Sequence, residues 1–154
     1  MATLHEYPVN VVWSGGRDGH GAVAAANSGS EFEIAVPPEF QGLGGGTNPE
    51  ELLTSAVASC YSITFGIIAA NRKIQVENLE VKAVGVVEQQ GMSFTYKQIT
   101  IRPSITLAAD ATDDQVTAAT DIAHKADSYC IITNAVRGKV EVTVEPTVKR
   151  AGME

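Results

Sequence analysis

The spacing of apolar positions changes period along the chain, and each change marks an element. Val9 to Trp13 is a short β-type run that stops at the glycines of Ser14-Gly15-Gly16-Arg17-Asp18-Gly19. A second short run covers 21–26. Phe32, Ile34 and Val36 then alternate with polar neighbours over 31–36, as a half-buried strand should. Pro37-Pro38 ends that strand, because proline cannot donate to a ladder.

A flexible glycine loop at 42–47 leads into Asn48-Pro49-Glu50-Glu51, a strong helix start. Asn48 suits the N-cap, Pro49 the first helical position, and Glu51 completes a capping-box spacing. The pattern predicts a helix from Pro49 to about Asn71, with Arg72 and Lys73 favouring its C-terminal dipole. Residues 52–70 are apolar or small on nearly every face. The run barely reaches a membrane span of ~20 residues, and Thr54, Ser55, Ser59, Cys60, Ser62 and Thr64 interrupt it. A central helix surrounded by protein is therefore the expectation, and a membrane is not an expected partner.

Val76 to Glu88 and Ser93 to Leu107 read as a hairpin around Gln89-Gln90-Gly91. Thr112-Asp113-Asp114-Gln115 is a second capping box, opening a helix with an apolar stripe at Val116, Ala119, Ala123, Ala126 and Cys130. Gly138 suits its stop, and Val140, Val142 and Val144 alternate with charges as a final strand. The order predicts an α+β fold, with antiparallel sheet packed on a long central helix and 1–154 forming a single domain.

Composition narrows the function. The 154 residues are 44% hydrophobic and 19% charged, enough for a real core. Eleven basic against 18 acidic residues give a net charge of −7, which argues against nucleic acid as a partner. The N-terminal stretch Met1 to Pro8 has neither a basic region nor an apolar one, so a cytoplasmic location is expected. Two cysteines make no disulfide framework.

The chemistry-bearing residues are sparse. The loop Gly42-Leu43-Gly44-Gly45-Gly46-Thr47 lacks the Lys-Ser/Thr ending of a phosphate loop and reads as a hinge. His5, His20 and His124 show no metal-ligand spacing, so no metal site is expected. Cys60 and Cys130 admit two readings: inert buried thiols, or a dithiol pair in which one sulfur attacks an oxidant and the other resolves it.

An ordinary thiol is only a few per cent ionised at pH 7, so an attacking Cys60 needs activation. The helix dipole fades after the first turn, which leaves a fixed cation as the requirement. Arg17, presented by Gly15-Gly16-Arg17-Asp18-Gly19, is the candidate. Glu50 lies about 15 Å from Cys60 along a straight helix, too far to meet it in one chain. Two copies crossing antiparallel near the small residues Ser55, Ala56, Ala58 and Ser59 would bring them together twice. The expectation is an obligate homodimer with composite sites, in which Glu50 holds Arg17 in place.

Taken as a set, Gly15-Gly16-Arg17-Asp18-Gly19, Gly46-Thr47-Asn48-Pro49-Glu50, Cys60 ten residues later, and Cys130 followed by Asn134-Ala135 resemble the OsmC/Ohr family of organic hydroperoxide reductases. The resemblance spans essentially the whole chain. It implies an intertwined homodimer with long central helices, Cys60 as peroxidatic thiolate, Cys130 as resolving thiol, and Arg17 with Glu50 as the activating ion pair. It also implies an organic hydroperoxide substrate, an external thiol or dithiol reductant such as protein-bound dihydrolipoyl, and no metal, flavin or haem. Many members carry proline after the second cysteine, where Ile131 stands here.

An apolar lining suits alkyl or lipid hydroperoxides; Leu52, Leu53, Ile63 and Phe65 are candidate walls, with core packing the expected role for each. Two rival readings stand beside this one. The first is a non-catalytic dimeric protein that binds a hydrophobic ligand and carries inert cysteines. The second is a cysteine hydrolase or acyltransferase using Cys60 with His124.

Overall fold

The computed structural model describes residues 1–153. The chain divides into two compact units, Met1–Leu52 and Leu53–Glu154, with one long helix beginning in the first and running through the second.

The first unit is an antiparallel sheet in the order β1 (Val9–Ser14), β2 (His20–Ala25), β3 (Glu31–Ala35). The Gly15–Gly19 loop closes the β1–β2 hairpin, pairing Ser14 with His20. Gly15 has φ +94°, and a Cβ on Gly19 would collide with the Ser14 carbonyl, so both positions need glycine. Past a short 3-10 turn at Pro38–Phe40, the glycine loop is pinned where Thr47 bridges Ile34 in parallel. Thr47 N–H donates to the Glu33 carbonyl (3.0 Å), and its own carbonyl accepts from Ala35 N–H (2.9 Å).

Helix α1 spans Pro49–Asn71. Asn48 caps it as expected, accepting from Glu51 N–H at 2.9 Å. The Glu51 carboxylate accepts from Asn48 Nδ2 (3.2 Å) and the Thr47 hydroxyl (3.0 Å), instead of reaching the cap's backbone as in a closed capping box. At the other end Lys73 adopts φ +57°. Ile74 N–H donates to Ala69 O and Lys73 N–H to Ala70 O, a Schellman closure.

The second unit is a mixed sheet packed on helices. β4 (Val76–Gln90) and β5 (Ser93–Leu107) form the long antiparallel hairpin, with Gly91 at φ +61° in its turn. Helix α2 (Asp113–Lys125) opens with the full capping box of Thr112 and Gln115. A 3-10 turn at Ala126–Tyr129 and a short helix α3 (Ile131–Val136) return the chain to the sheet.

The sheet is not purely antiparallel as expected. β6 (Glu141–Val144) pairs parallel with β5, and an unanticipated strand β7 (Thr147–Arg150) continues along the same edge. The helical crossover carries the chain back toward the start of β5, so the next strand runs in the same direction. Pro103, which has no N–H, sits between the stretch of β5 paired with β6 and the stretch paired with β7.

The core gathers Val57, Tyr61, Phe65 and Ala69 of α1, Ile99, Ile101, Ile105 and Leu107 of β5, and Ala119, Ile122 and Ala123 of α2. The α1 residues recur every four positions, one stripe of the helix. α1 is long and apolar enough to cross a membrane by length and composition, but that stripe packs in the core of an α+β unit. The expectation that α1 is surrounded by protein is not met within one chain. Sheet and α2 bury one face, while Ile63 and Ile67 on the other remain 63% and 55% exposed.

Candidate active site

Cys60 sits in the middle of α1, half-buried, next to the fully buried Tyr61. Cys130 is fully buried, but not on the apolar face of one continuous helix as its spacing suggested. α2 ends at Lys125, and the 3-10 turn hands the chain to Cys130, whose extended backbone (φ −80°, ψ 117°) makes it the N-cap of α3. Its sulfur accepts from the Thr133 N–H at 3.5 Å. Leaving the helix turns the thiol toward Cys60.

The two cysteines are free thiols within hydrogen-bonding reach of each other. Burial works against ionising Cys60, yet its thiol lies below the ordinary value. The Cys130 thiol donates to it, joined by the Ile132 N–H, the Thr64 hydroxyl and the Ile131 N–H. Ile131 and Ile132 open α3, where backbone N–H groups have no intrahelical acceptor and are available to an anion. Cys130 moves the other way: burial and its donated bond to Cys60 both hold the proton on. The two thiols are thus shifted in opposite directions, Cys60 down and Cys130 up.

Cys130, Ile131, Ile132 and Thr64 all lie in the same unit as Cys60. These groups are hydrogen-bond donors and not the fixed cation expected from the sequence, and they carry no sequence signature. Thr64, one turn beyond Cys60, was the nearest to legible, since positions four apart share a helix face.

Arg17 and Glu50 belong to the first unit. Trp13 Nε1 donates to Gly15 O at 2.9 Å, bracing the loop, and the exposed Arg17 donates through Nη1 to the Phe40 carbonyl at 2.6 Å. Glu50 is the second residue of α1 and half-buried. The structure therefore brings Cys60 and Cys130 together within one unit and puts Arg17 and Glu50 in the other. His124 is exposed near the end of α2.

An apolar pocket of about 590 Å³ opens beside Thr64, lined by Ile67, Ile68, Ile122 and Tyr129, with Arg72, Asp121 and Lys125 also on its walls. Asp121 pairs with Lys125 (2.9 Å) and Arg72 (3.9 Å). Phe65 is a core residue, as expected, stacked on Tyr61 at 6.5 Å between ring centres, whereas Ile63 faces outward instead of packing in the core. The lining comes from the later turns of α1 and the residue just past it, from α2, and from Tyr129 of the 3-10 turn.

The family model described as OsmC-like protein matches residues 42–145. The uncharacterized protein YmaD of Bacillus subtilis (strain 168) is 36% identical over 148 residues, covering 96% of this chain and 97% of that protein. An organic hydroperoxide resistance protein of Xanthomonas axonopodis pv. citri (strain 306) is 26% identical over 140 residues, covering 90% and 92%. Among solved structures, an organic hydroperoxide resistance protein OsmC of Legionella pneumophila superposes with a TM-score of 0.71 at 26% identity. That match covers 96% of this chain and all (100%) of that one.

Proposed function

The chain belongs to the OsmC-like protein family, and from that premise we propose that it is a thiol-dependent peroxidase reducing organic hydroperoxides to alcohols. The observation that carries this is the Cys60–Cys130 pair, two free thiols facing each other with Cys60 lowered and Cys130 raised from the ordinary thiol value. The relatives named organic hydroperoxide resistance proteins support the substrate class.

In this scheme the Cys60 thiolate attacks the distal oxygen of R–O–O–H. The O–O bond breaks, the alkoxide takes a proton and leaves as the alcohol, and Cys60 becomes a sulfenic acid. Cys130 condenses with it, forming the disulfide and releasing water. An external thiol or dithiol, such as a lipoyl protein, returns both sulfurs to thiols.

Arg17 strengthens the thiolate and donates to the developing oxyanion, and Glu50 orients Arg17. The whole chain, 1–154, acts as one OsmC/Ohr-like domain within a cytoplasmic homodimer. The exposed Ile63 and Ile67 face of α1 supports a second copy there. The pocket beside Thr64 suits the organic group of an alkyl or lipid hydroperoxide.

Cumene hydroperoxide with a dithiol reductant tests the scheme. Wild type should turn over, and one equivalent of hydroperoxide should leave a chain lighter by two protons with an internal disulfide. Cys60→Ser should be inactive, and retained turnover in it overturns the assignment. The same pocket favours a second reading, a non-catalytic binder of hydrophobic ligands. That reading requires slow, ordinary alkylation of Cys60 at pH 6.

A further inference from the structure

Cys130 belongs to neither of its flanking helices. It joins a four-residue 3-10 turn to a six-residue α3, and segments that short do not hold their own conformation. What fixes the segment is a set of bonds spanning it from end to end. Arg137, the first residue past α3, reaches back to its beginning: Nη2 donates to the Asp127 carbonyl at 3.3 Å and lies 3.9 Å from Asp127 Oδ2. Through Nε it donates to Asn134 Oδ1 at 3.1 Å, and Asn134 Nδ2 in turn donates to the Ser128 carbonyl at 3.2 Å.

The Asp127 carbonyl that receives Arg137 also receives the Cys130 N–H at 3.2 Å. One oxygen therefore anchors both the cysteine and the clamp. Asp127 is mostly buried, its side chain 17% exposed. A planar guanidinium with donors at fixed angles can serve these acceptors together, which a lysine ammonium does less well.

We infer that Arg137 is the positioning residue of the resolving step, clamping the 127–137 segment so that the Cys130 sulfur is presented to Cys60. The inference rests on the proposed peroxidase reading and deepens it. After the first oxidation, the Cys60 sulfenic acid has two fates. The Cys130 thiol attacks its sulfur, the S–O bond breaks, and the oxygen leaves as water with the disulfide formed. Alternatively a second hydroperoxide transfers an oxygen, leaving as its alcohol and converting the sulfenic acid to a sulfinic acid by a further two-electron oxidation. A disulfide tolerates only a narrow range of Cβ separations, near 3.8 Å. Loosening the segment therefore slows the first fate relative to the second.

The ratio of sulfinic acid to disulfide after a hydroperoxide pulse reads this competition, whatever the rate of the first oxidation. Mass spectrometry of wild type, Arg137→Ala, Arg137→Lys and the control Arg102→Ala should measure it. Arg102 pairs with Glu145 on the sheet at 3.3 Å and is comparably exposed. Arg137→Ala should raise the ratio roughly three- to tenfold, the loss expected for partly exposed charge-assisted hydrogen bonds. Arg137→Lys should fall between, and Arg102→Ala should match wild type.

An unchanged ratio in Arg137→Ala overturns the inference. Should that variant not fold, Asn134→Ala, which removes the acceptor of Nε, carries the same expectation and the same refutation. Diamide, an azo oxidant that takes two electrons from a thiol pair and is itself reduced to the hydrazine, separates the two levels. If hydroperoxide oxidises neither sulfur of wild type, the peroxidase reading fails. Diamide closure of the Cys60–Cys130 disulfide then still tests the clamp, and equal closure rates in wild type and Arg137→Ala refute it.

Discussion

Replacing Tyr61 with Phe removes one oxygen and tests the joint between the helix carrying Cys60 and the helix leading to Cys130. Tyr61 is fully buried, and its hydroxyl donates to the Ala123 carbonyl at 2.6 Å. Ala123 lies in the last turn of α2, where the supply of helical N–H donors runs out. The variant leaves that acceptor in an apolar setting, at a cost of about 1–3 kcal/mol. For a chain of this length, a Tm fall of roughly 2–12 °C follows. Urea unfolding should show a lower midpoint with an unchanged slope.

The pH dependence supplies a second, signed check on the same residue. Burial, and then the negative charge of Asp127, hold the Tyr61 hydroxyl protonated far above the ordinary tyrosine range. The folded state thus keeps a proton that the unfolded state releases near pH 10. Its contribution is complete below that pH and declines above it, by up to about 1.4 kcal/mol per pH unit. Tyr61→Phe lacks this decline, so its deficit should shrink between pH 10 and 11. Equal midpoints at pH 7, or a deficit that widens with pH, would refute the reasoning.

Three further outcomes follow from the site and its supports. Cys130→Ala removes the largest of the donors that favour the Cys60 thiolate, so the pH midpoint of Cys60 alkylation should rise; an unchanged or lower midpoint contradicts the pairing. The wild-type shift also stabilises the fold in full above the ordinary thiol value, and that contribution vanishes as pH falls through the lowered one. Gly85→Ala would drive a Cβ into Tyr96 Oη and Thr54 Oγ1, which are hydrogen-bonded to each other. It should cost about 1–3 kcal/mol, part of it recovered by adding Tyr96→Phe in a double-mutant cycle.

What could be read in the sequence was local. Asn48 with Pro49, and Thr112 with Gln115, announce helix starts because a cap is made by neighbours. The alternation through Ile99, Ile101, Ile105 and Leu107 announces a strand because its period is two. The break before Cys130 was not legible, since Val116, Ala119, Ala123, Ala126 and Cys130 continue the helical spacing with no glycine or proline to interrupt it. The departure is held by Arg137 and Asn134 folding back on Asp127 and Ser128, contacts between residues with no common periodicity. Strand direction was equally hidden, because Val142 and Val144 alternate identically in a parallel or an antiparallel ladder. Cys60 and Cys130 could be read as a candidate pair, but their unequal proton affinities come from burial and the bond between the two thiols, with the α3 amides and Thr64 adding to it, and none of these has a sequence period.

Beyond the chemistry, the double seam along β5 affects how the protein is made. Its second edge is filled only by 141–150, which leave the ribosome well after β5 itself. Until then the nascent chain carries an unfilled hydrogen-bonding edge beside Ile99, Ile101, Ile105 and Leu107, a template for strands of other chains. Synthesis arrested before Glu141 should yield a sticky, chaperone-dependent product, whereas completion of the final short strands seals it.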